Sequence, residues 1–401
     1  MANIAVIDLE FSLPPRGGAP VDLHHHLTNL SKNHDVYLII CDYSIFTRRG
    51  LIQDEVDCGF PIIKIPCGWR EFNFRILPRR IRAIVDRLAP DVVFLSRTLH
   101  LKPWISKALR GYPVVHKFYA YEVICPRDSW IDYRGRNCRK NIIEDPQTCL
   151  TCCMLTAARL SPEYWTSFTF LPAYGRLVSR MFSDAQFVLV NNQLIFDVIS
   201  RFTNKVGIVP GGVDTAVFTP TTRINPNPRI LFPGRVNAPT KGLAVLRKAV
   251  HLLRAKNLRP ILTITGDKPR GSDSEDLEFI GWKSYREMPN LYRECDICVV
   301  PSVWEEPFGL TAVEAMACGK PVVASAVGGL KSIVIDGVTG YLVPPNDPHA
   351  LADKLELVLR DSALRTQLGN LARQRAVEEY SWETITRRYY EPLFSVSEKA
   401  R

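Results

Sequence analysis

No run of about 18 consecutive apolar residues occurs among the 401 residues, which excludes a membrane-spanning helix of ordinary length. The first apolar run, residues 4–7, follows Met1-Ala-Asn directly, with no basic segment or cleavage site of a secretory signal. A cytoplasmic location is expected on these grounds, including a peripheral position at the inner membrane face. The lysine-containing phosphate loop G-x-x-x-x-G-K-[ST] is absent, which removes that mode of nucleotide binding. The early glycine pair Gly17-Gly18 is not part of a G-x-G-x-x-G, which counts against a dinucleotide-dependent dehydrogenase. No zinc-finger, basic-zipper or RNA-binding aromatic pattern accompanies the charge, so no nucleic-acid partner is expected. Internal repeats and low-complexity tracts are also missing.

What remains is an ordinary globular composition, 46% hydrophobic and 23% charged, long enough for two domains of about 200 residues each. Net charge is +10, and residues 64–140 alone hold 17 Lys and Arg against 6 Asp and Glu. That local excess suits an anionic acceptor or an anionic membrane face, and it is equally compatible with a solvated surface.

Six of the eleven cysteines are dispersed and read as reduced, small apolar residues. Cys125, Cys138, Cys149, Cys152 and Cys153 instead fall in a polar, Arg-rich stretch ending in C-x-x-C. A structural zinc on Cys125, Cys138, Cys149 and Cys152 is one way to organise a segment with little core of its own, and free thiols are the alternative.

Short apolar runs alternate with helical patterns, the signature of parallel-sheet α/β domains. The first series runs through 4–7, 36–40, 92–95, 114–116 and 187–190, interrupted by an irregular excursion over 117–163. A second runs through 230–232, 261–265, 297–300, 322–325 and 341–343. The Pro- and Asn-rich segment at 221–228 marks the connection, and the boundary is set near 203. Three segments result, 1–203, 204–380 and 381–401, with Ser381 as the N-cap of a final helix.

The most informative stretch is P-S-V-W-E-E-P-F-G-L-T-A-V-E over residues 301–314. Pro307 holds Glu306 in an extended loop before a helix, and Glu314 lies inside that helix. Phe308, Gly309, Leu310 and Thr311 supply the first free N–H groups, a setting that suits an anion. Eight residues at the helical rise span about 12 Å, whereas the two carboxylates of a glycosidase stand roughly 5–9.5 Å apart. The pair is better suited to holding two parts of one long ligand. Glu314 sits among Ala312, Val313, Ala315 and Met316, where an unpaired charge is costly.

This E-x7-E, followed by E-A-M-A-C-G-K-P-V-V-A-S, Gly328-Gly329 and the run from Asp336 to Asp347, resembles the family 4 glycosyltransferases. The resemblance implies two Rossmann-like parallel-sheet domains facing across a cleft, the glycosyltransferase-B fold, with the final helix crossing back to the first domain. It further implies a retaining enzyme that moves a hexose-type unit from a nucleotide diphosphate sugar to an acceptor hydroxyl. Saccharide, lipid-linked and small-molecule acceptors are all compatible. An epimerase or phosphorylase of the same fold, or a non-catalytic nucleotide-sugar-binding subunit, are the alternatives.

Residue by residue, the resemblance assigns Arg235 and Lys241 to the diphosphate, Glu306 to sugar hydroxyls, Glu314 to the ribose and His116 to the sugar. Lys117 follows His116 where the family commonly has an acidic residue. Gly17 and Gly18, after Arg16, lie beside the donor phosphates, and Gly266 and Asp267 match a segment near the nucleotide. Trp282 either contacts the base region or packs. With two cations at the diphosphate, no catalytic cofactor is required. The His24-His25-His26 triplet reads as surface or packing, since adjacent helical residues cannot all face one metal. The aromatic stretch 164–171 either packs in a core, lines an acceptor cleft or rests on a membrane; its spacing gives no clean amphipathic face.

Overall fold

A computed structural model describes residues 1–12, 17–42, 58–68, 70–122, 124–156, 165–171, 173–221, 225, 228–236, 238–268 and 277–395. Among them lie two wholly parallel sheets, of seven and six strands. The first sheet comprises β1 (Asn3–Ile7), β2 (Asp35–Asp42), β3 (Ile62–Pro66), β4 (Val92–Leu95), β5 (Val114–Lys117), β6 (Phe187–Val190) and β7 (Val206–Ile208), in the order β3-β2-β1-β4-β5-β6-β7. The second comprises β8 (Arg229–Phe232), β9 (Ile261–Ile264), β10 (Leu277–Phe279), β11 (Ile297–Val300), β12 (Val322–Ser325) and β13 (Gly340–Val343), in the order β10-β9-β8-β11-β12-β13. Central strands such as β4, β11 and β12 are buried at every residue, as expected of parallel strands covered by helices on both faces.

The chain divides into two units, Met1–Pro210 with Thr386–Arg401, and Gly211–Ile385. It passes between them after Pro210, not at 203, because β7 pairs with β6 and completes the first sheet. No helix among the described residues is long and apolar enough to cross a membrane.

In each sheet the strand order reverses once. The reversal lies between β1 and β4 in the first unit and between β8 and β11 in the second. At such a point the loops leaving adjacent strand ends diverge to opposite faces and open a crevice, the usual ligand position in doubly wound folds.

Within the first unit the closing segment packs against the helix Gly18–Leu30. His26 Nδ1 lies 2.8 Å from Thr386 Oγ1, its ring centroid is 4.3 Å from that of Tyr390, and His34 Nε2 lies 2.8 Å from Glu391 Oε2. The histidine triplet thus serves packing in part.

Candidate functional site

In the second unit the loops after β8 and β11 leave the reversal point, carrying Arg235 with Lys241 and Glu306 respectively. Their docking is fixed by backbone. Thr240 accepts the Val303 N–H at 2.9 Å, and Gly242, at φ 76°, lies so close that a Cβ there would collide with the Pro301 carbonyl. This contact brings Lys241 to Glu306, and its Nζ donates to Oε1 at 2.9 Å and Oε2 at 2.8 Å.

Glu306 has two further donors, Ser302 Oγ at 2.9 Å and Trp304 Nε1 at 3.1 Å, both to Oε2. The Lys241 ammonium also lies 5.5 Å from the Trp304 ring centroid, within cation–π reach. A carboxylate held by four donor contacts is fixed in orientation, which is what positioning a sugar hydroxyl requires. On its other side, Glu306 O accepts the Gly329 N–H at 2.7 Å, and Glu305 Oε2 accepts the Gly328 N–H at 2.8 Å. Gly328 has φ 46°, and a Cβ on it would overlap the Glu306 backbone. The Gly-Gly of the motif is therefore the underside of the carboxylate loop.

The helix Leu310–Ala317 begins at Gly309, which has φ 118° and no side-chain cap. Its first N–H groups have no intrahelical acceptors, and Phe308 is buried beside Tyr380 with ring centroids 6.1 Å apart. Glu314 is buried inside this helix, and Tyr292 Oη donates to it at 2.8 Å. Burial pushes its carboxyl up to about 7, with the Tyr292 hydrogen bond opposing the shift. Arg235 is exposed on the neighbouring loop. Next to β8, the end of β9 places Gly266, whose N–H donates to Gly281 O at 2.8 Å, and the exposed Asp267. Trp282 beyond it is 65% exposed.

Ser302, Trp304 and Tyr292 complete this arrangement and were not singled out from sequence for it. The sequence signal was only proximity, since Trp304 stands two residues before Glu306. Trp304→Phe keeps a ring beside Lys241 and removes the Nε1 donor. We expect a several-fold rise in donor KM with a smaller change in kcat, and Trp304→Ala to affect both; equal kinetics for Trp304→Phe and the native protein would remove Trp304 from this role.

The first unit gathers its expected residues less completely. Gly17 precedes the helix Gly18–Leu30 with φ 88°, at the loop leaving β1; Arg16 lies outside the described residues. Across the reversal point, Asp8 is buried and takes both arms of Arg97, at 2.9 and 3.1 Å, together with Ser96 Oγ at 2.7 Å. His116 corrects its expectation. Its ring is wholly buried, 3.3 Å from Ser106 Oγ and stacked on Phe118. Burial, with the Lys102 charge adding, pushes it down to about 3. In this structure the imidazole is neutral and lies in the core of the first unit. Lys117, next in sequence, turns to the opposite face of β5 and is held by Asn191 Oδ1 at 2.7 Å and Val209 O at 3.0 Å.

The zinc expectation is also corrected. Among the described residues no group of three or more His, Cys, Asp or Glu side chains could hold a metal ion, and none of the eleven cysteines is in a disulfide. The C-x-x-C lies in the helix Pro146–Met154, which buries Cys149 and Cys153, four residues apart, and leaves Cys152 half-buried with its Sγ 3.9 Å from Arg127 Nη1. Burial, with the neighbouring Cys125 and Cys152 adding, pushes the Cys153 thiol up to about 12. The segment has a small core after all. Tyr121, Ile124, Trp130 and Ile142 are fully buried, and Trp130 Nε1 donates to Lys140 O at 2.7 Å.

With this geometry in view, residues 218–375 match the family profile described as glycosyl transferases group 1. That match covers under half of the chain. Within curated proteins, the chain is 33% identical over 218 residues to the D-inositol 3-phosphate glycosyltransferase of Stackebrandtia nassauensis, covering 47% of this chain and 48% of that one. It is 32% identical over 182 residues to the lipopolysaccharide 1,2-N-acetylglucosaminetransferase of Salmonella typhimurium, covering 41% and 47%. The match thus spans about half the length of these relatives. Whole-chain likeness is one of fold. Sucrose-phosphate synthase from Thermosynechococcus elongatus superposes with a TM-score of 0.72 at 23% identity, over 99% of this chain and 100% of that one. Anabaena Alr3699/HepE in complex with UDP-glucose gives 0.68 at 18%, over 98% and 100%. All the carboxylate, lysine and glycine contacts described for the second unit fall inside or beside the group 1 segment.

Proposed function

We propose that this protein transfers a hexose-type sugar from a nucleotide diphosphate sugar to an acceptor hydroxyl, with retention of anomeric configuration. The observation that carries the reading is the oriented Glu306 carboxylate, held against Lys241 where the strand order of the second sheet reverses and just ahead of an uncapped helix N-terminus. Donor binding draws Lys241 and Arg235 onto the diphosphate, where fixed cations stabilise the charge that grows as the nucleotide departs. The first N–H groups of the helix, at Leu310 and Thr311, add partial positive charge. Glu306, still bonded to Ser302 and Trp304, then takes sugar hydroxyls, and Glu314 takes the ribose. The departing phosphate accepts the acceptor proton on the same face, so catalysis is positioning plus charge stabilisation and uses no protein nucleophile. The UDP-glucose complex of the Anabaena structure supports a nucleotide-sugar donor.

For acceptors, the inositol phosphate and lipopolysaccharide named for the relatives support a hydroxylated or lipid-linked glycan acceptor. The cation excess over residues 64–140 supports peripheral contact with an anionic membrane face.

Unfolding temperature measured with UDP, GDP, ADP and their common sugars tests the donor reading, since a ligand bound only by the folded state raises apparent stability. One nucleotide is expected to give a selective rise, and no rise with any of them overturns the proposal. With the responding donor, proton NMR of its slow hydrolysis reports the first anomer released. Retention is expected, and inversion refutes the stereochemistry while leaving the donor site intact.

A further inference from the structure

The first unit carries an apolar surface that the proposed chemistry does not use. Residues 165–171 form a tight turn in which Trp165 O accepts the Phe168 N–H at 3.2 Å and Phe168 O accepts the Leu171 N–H at 3.1 Å. The turn is anchored from both sides. Thr166 O accepts the Phe74 N–H at 3.1 Å, and Ser167 O accepts Trp104 Nε1 at 2.7 Å. Ring contacts make the assembly continuous. The Phe74 centroid is 4.9 Å from that of Trp104 and 4.6 Å from that of Phe168, while Phe170 is 5.3 Å from Phe168 and 5.1 Å from Trp165.

So firmly held an aromatic turn would ordinarily bury its largest ring. Here Trp165 is 45% exposed and Leu171 40%. Phe168 is held at φ 55°, a left-handed conformation that bulky side chains seldom adopt and that persists only where the surroundings enforce it. Two exposed cations border the cluster: the Arg75 guanidinium lies 5.7 Å from the Phe74 centroid, and the Lys107 ammonium 5.7 Å from that of Trp104. Glu71, the nearest acid in sequence to Arg75, is half-buried and accepts the Gly68 N–H at 2.9 Å. An exposed indole and leucine on an aromatic base with cations beside them match the boundary of a bilayer, where indoles settle at headgroup depth and cations meet lipid phosphates.

We infer that this surface seats the first unit on an anionic phospholipid bilayer, with Trp165 and Leu171 entering the headgroup region and Arg75 and Lys107 facing the phosphates. The inference deepens the membrane contact proposed above and is independent of the glycosyl-transfer reading.

The test is cosedimentation of the full chain with phosphatidylcholine vesicles, with and without phosphatidylglycerol. Three variants accompany it: Trp165→Ser with Leu171→Ser, Arg75→Gln with Lys107→Gln, and Trp282→Ser as a control for losing an exposed indole elsewhere. The native chain is expected to bind only the phosphatidylglycerol vesicles, less at high salt. Each double variant should bind at least tenfold more weakly with its unfolding temperature retained, and Trp282→Ser should bind as the native chain does. The cation pair is exposed, so its variant remains informative if the apolar one unfolds. Undiminished binding by the double variants refutes this surface while leaving membrane contact standing. Absence of binding to any vesicle refutes both. A native dimer in sedimentation that the apolar variant abolishes assigns the surface to a second copy instead, and overturns the proposal.

Discussion

Replacing Lys241 by Ala should lower nucleotide release from the donor by a factor on the order of 10² to 10³, the usual cost of removing one preorganised group that stabilises transition-state charge. Among the described residues Lys241 is the only group that donates to both Glu306 oxygens, so its loss affects the diphosphate and the carboxylate together. Glu306 keeps Ser302 and Trp304, and the loop keeps its backbone contact at Val303, which argues for a folded variant. Lys241→Gln separates the two roles, because the amide can still donate to Glu306 but carries no charge. Comparable losses in both variants locate the effect in the charge. Rates near native in either one, with unfolding temperature unchanged, would remove Lys241 from the diphosphate site.

Glu314→Gln should make the protein more stable at high pH and less able to bind its nucleotide. In the folded state the carboxyl titrates at about 7, against a usual value of 4.5, because it is buried. The unfolded chain therefore releases this proton first. Its contribution to stability is fully retained below about pH 4.5, declines as pH rises towards 7, and is lost above that, a change of roughly 3 kcal/mol at 1.36 kcal/mol per unit. Glutamine is neutral throughout and can still accept the Tyr292 hydroxyl. Urea unfolding at about pH 5 and pH 8 should show the variant gaining stability relative to the native protein between the two, the cost of keeping His116 neutral at pH 5 being common to both. Parallel behaviour of the two proteins would place Glu314 in a solvated setting and refute the burial argument. The same substitution removes a ribose acceptor, so the nucleotide-induced rise in unfolding temperature should shrink.

The parts of this site that sequence reveals are charges where charge is expensive. Glu314 stands out among alanines, Glu306 is fixed ahead of a helix by Pro307, and Lys241 precedes a glycine on the loop after a strand. Their partners were not legible, because Tyr292 and Ser302 are ordinary in local context and acquire a role only when β11 and two helices converge. Buried strands were visible as apolar runs. The edge strands β3, β7 and β10 were not, because they are partly exposed and Lys64, Gly207 and Glu278 interrupt their apolar residues. The cysteine segment misled for a related reason. Spacing counted along an assumed loop pairs Cys149 with Cys152, whereas a helix buries Cys149 with Cys153, and the widely separated Tyr121, Trp130 and Ile142 give no periodic sign of the core they share.

The return of Thr386–Arg401 to the first unit has a consequence for how the protein is made. A chain emerging from the ribosome can finish the second unit while the first is still short of its last piece. Until that piece arrives, the side of the first unit formed by His26, His34 and Phe94 lacks Tyr390 and Phe394, which lie 4.3 to 6.5 Å away ring to ring in the finished protein. Biogenesis therefore runs out of sequence order. The first half of the chain waits for the last, and the nascent surface in that interval is one for a chaperone to shield.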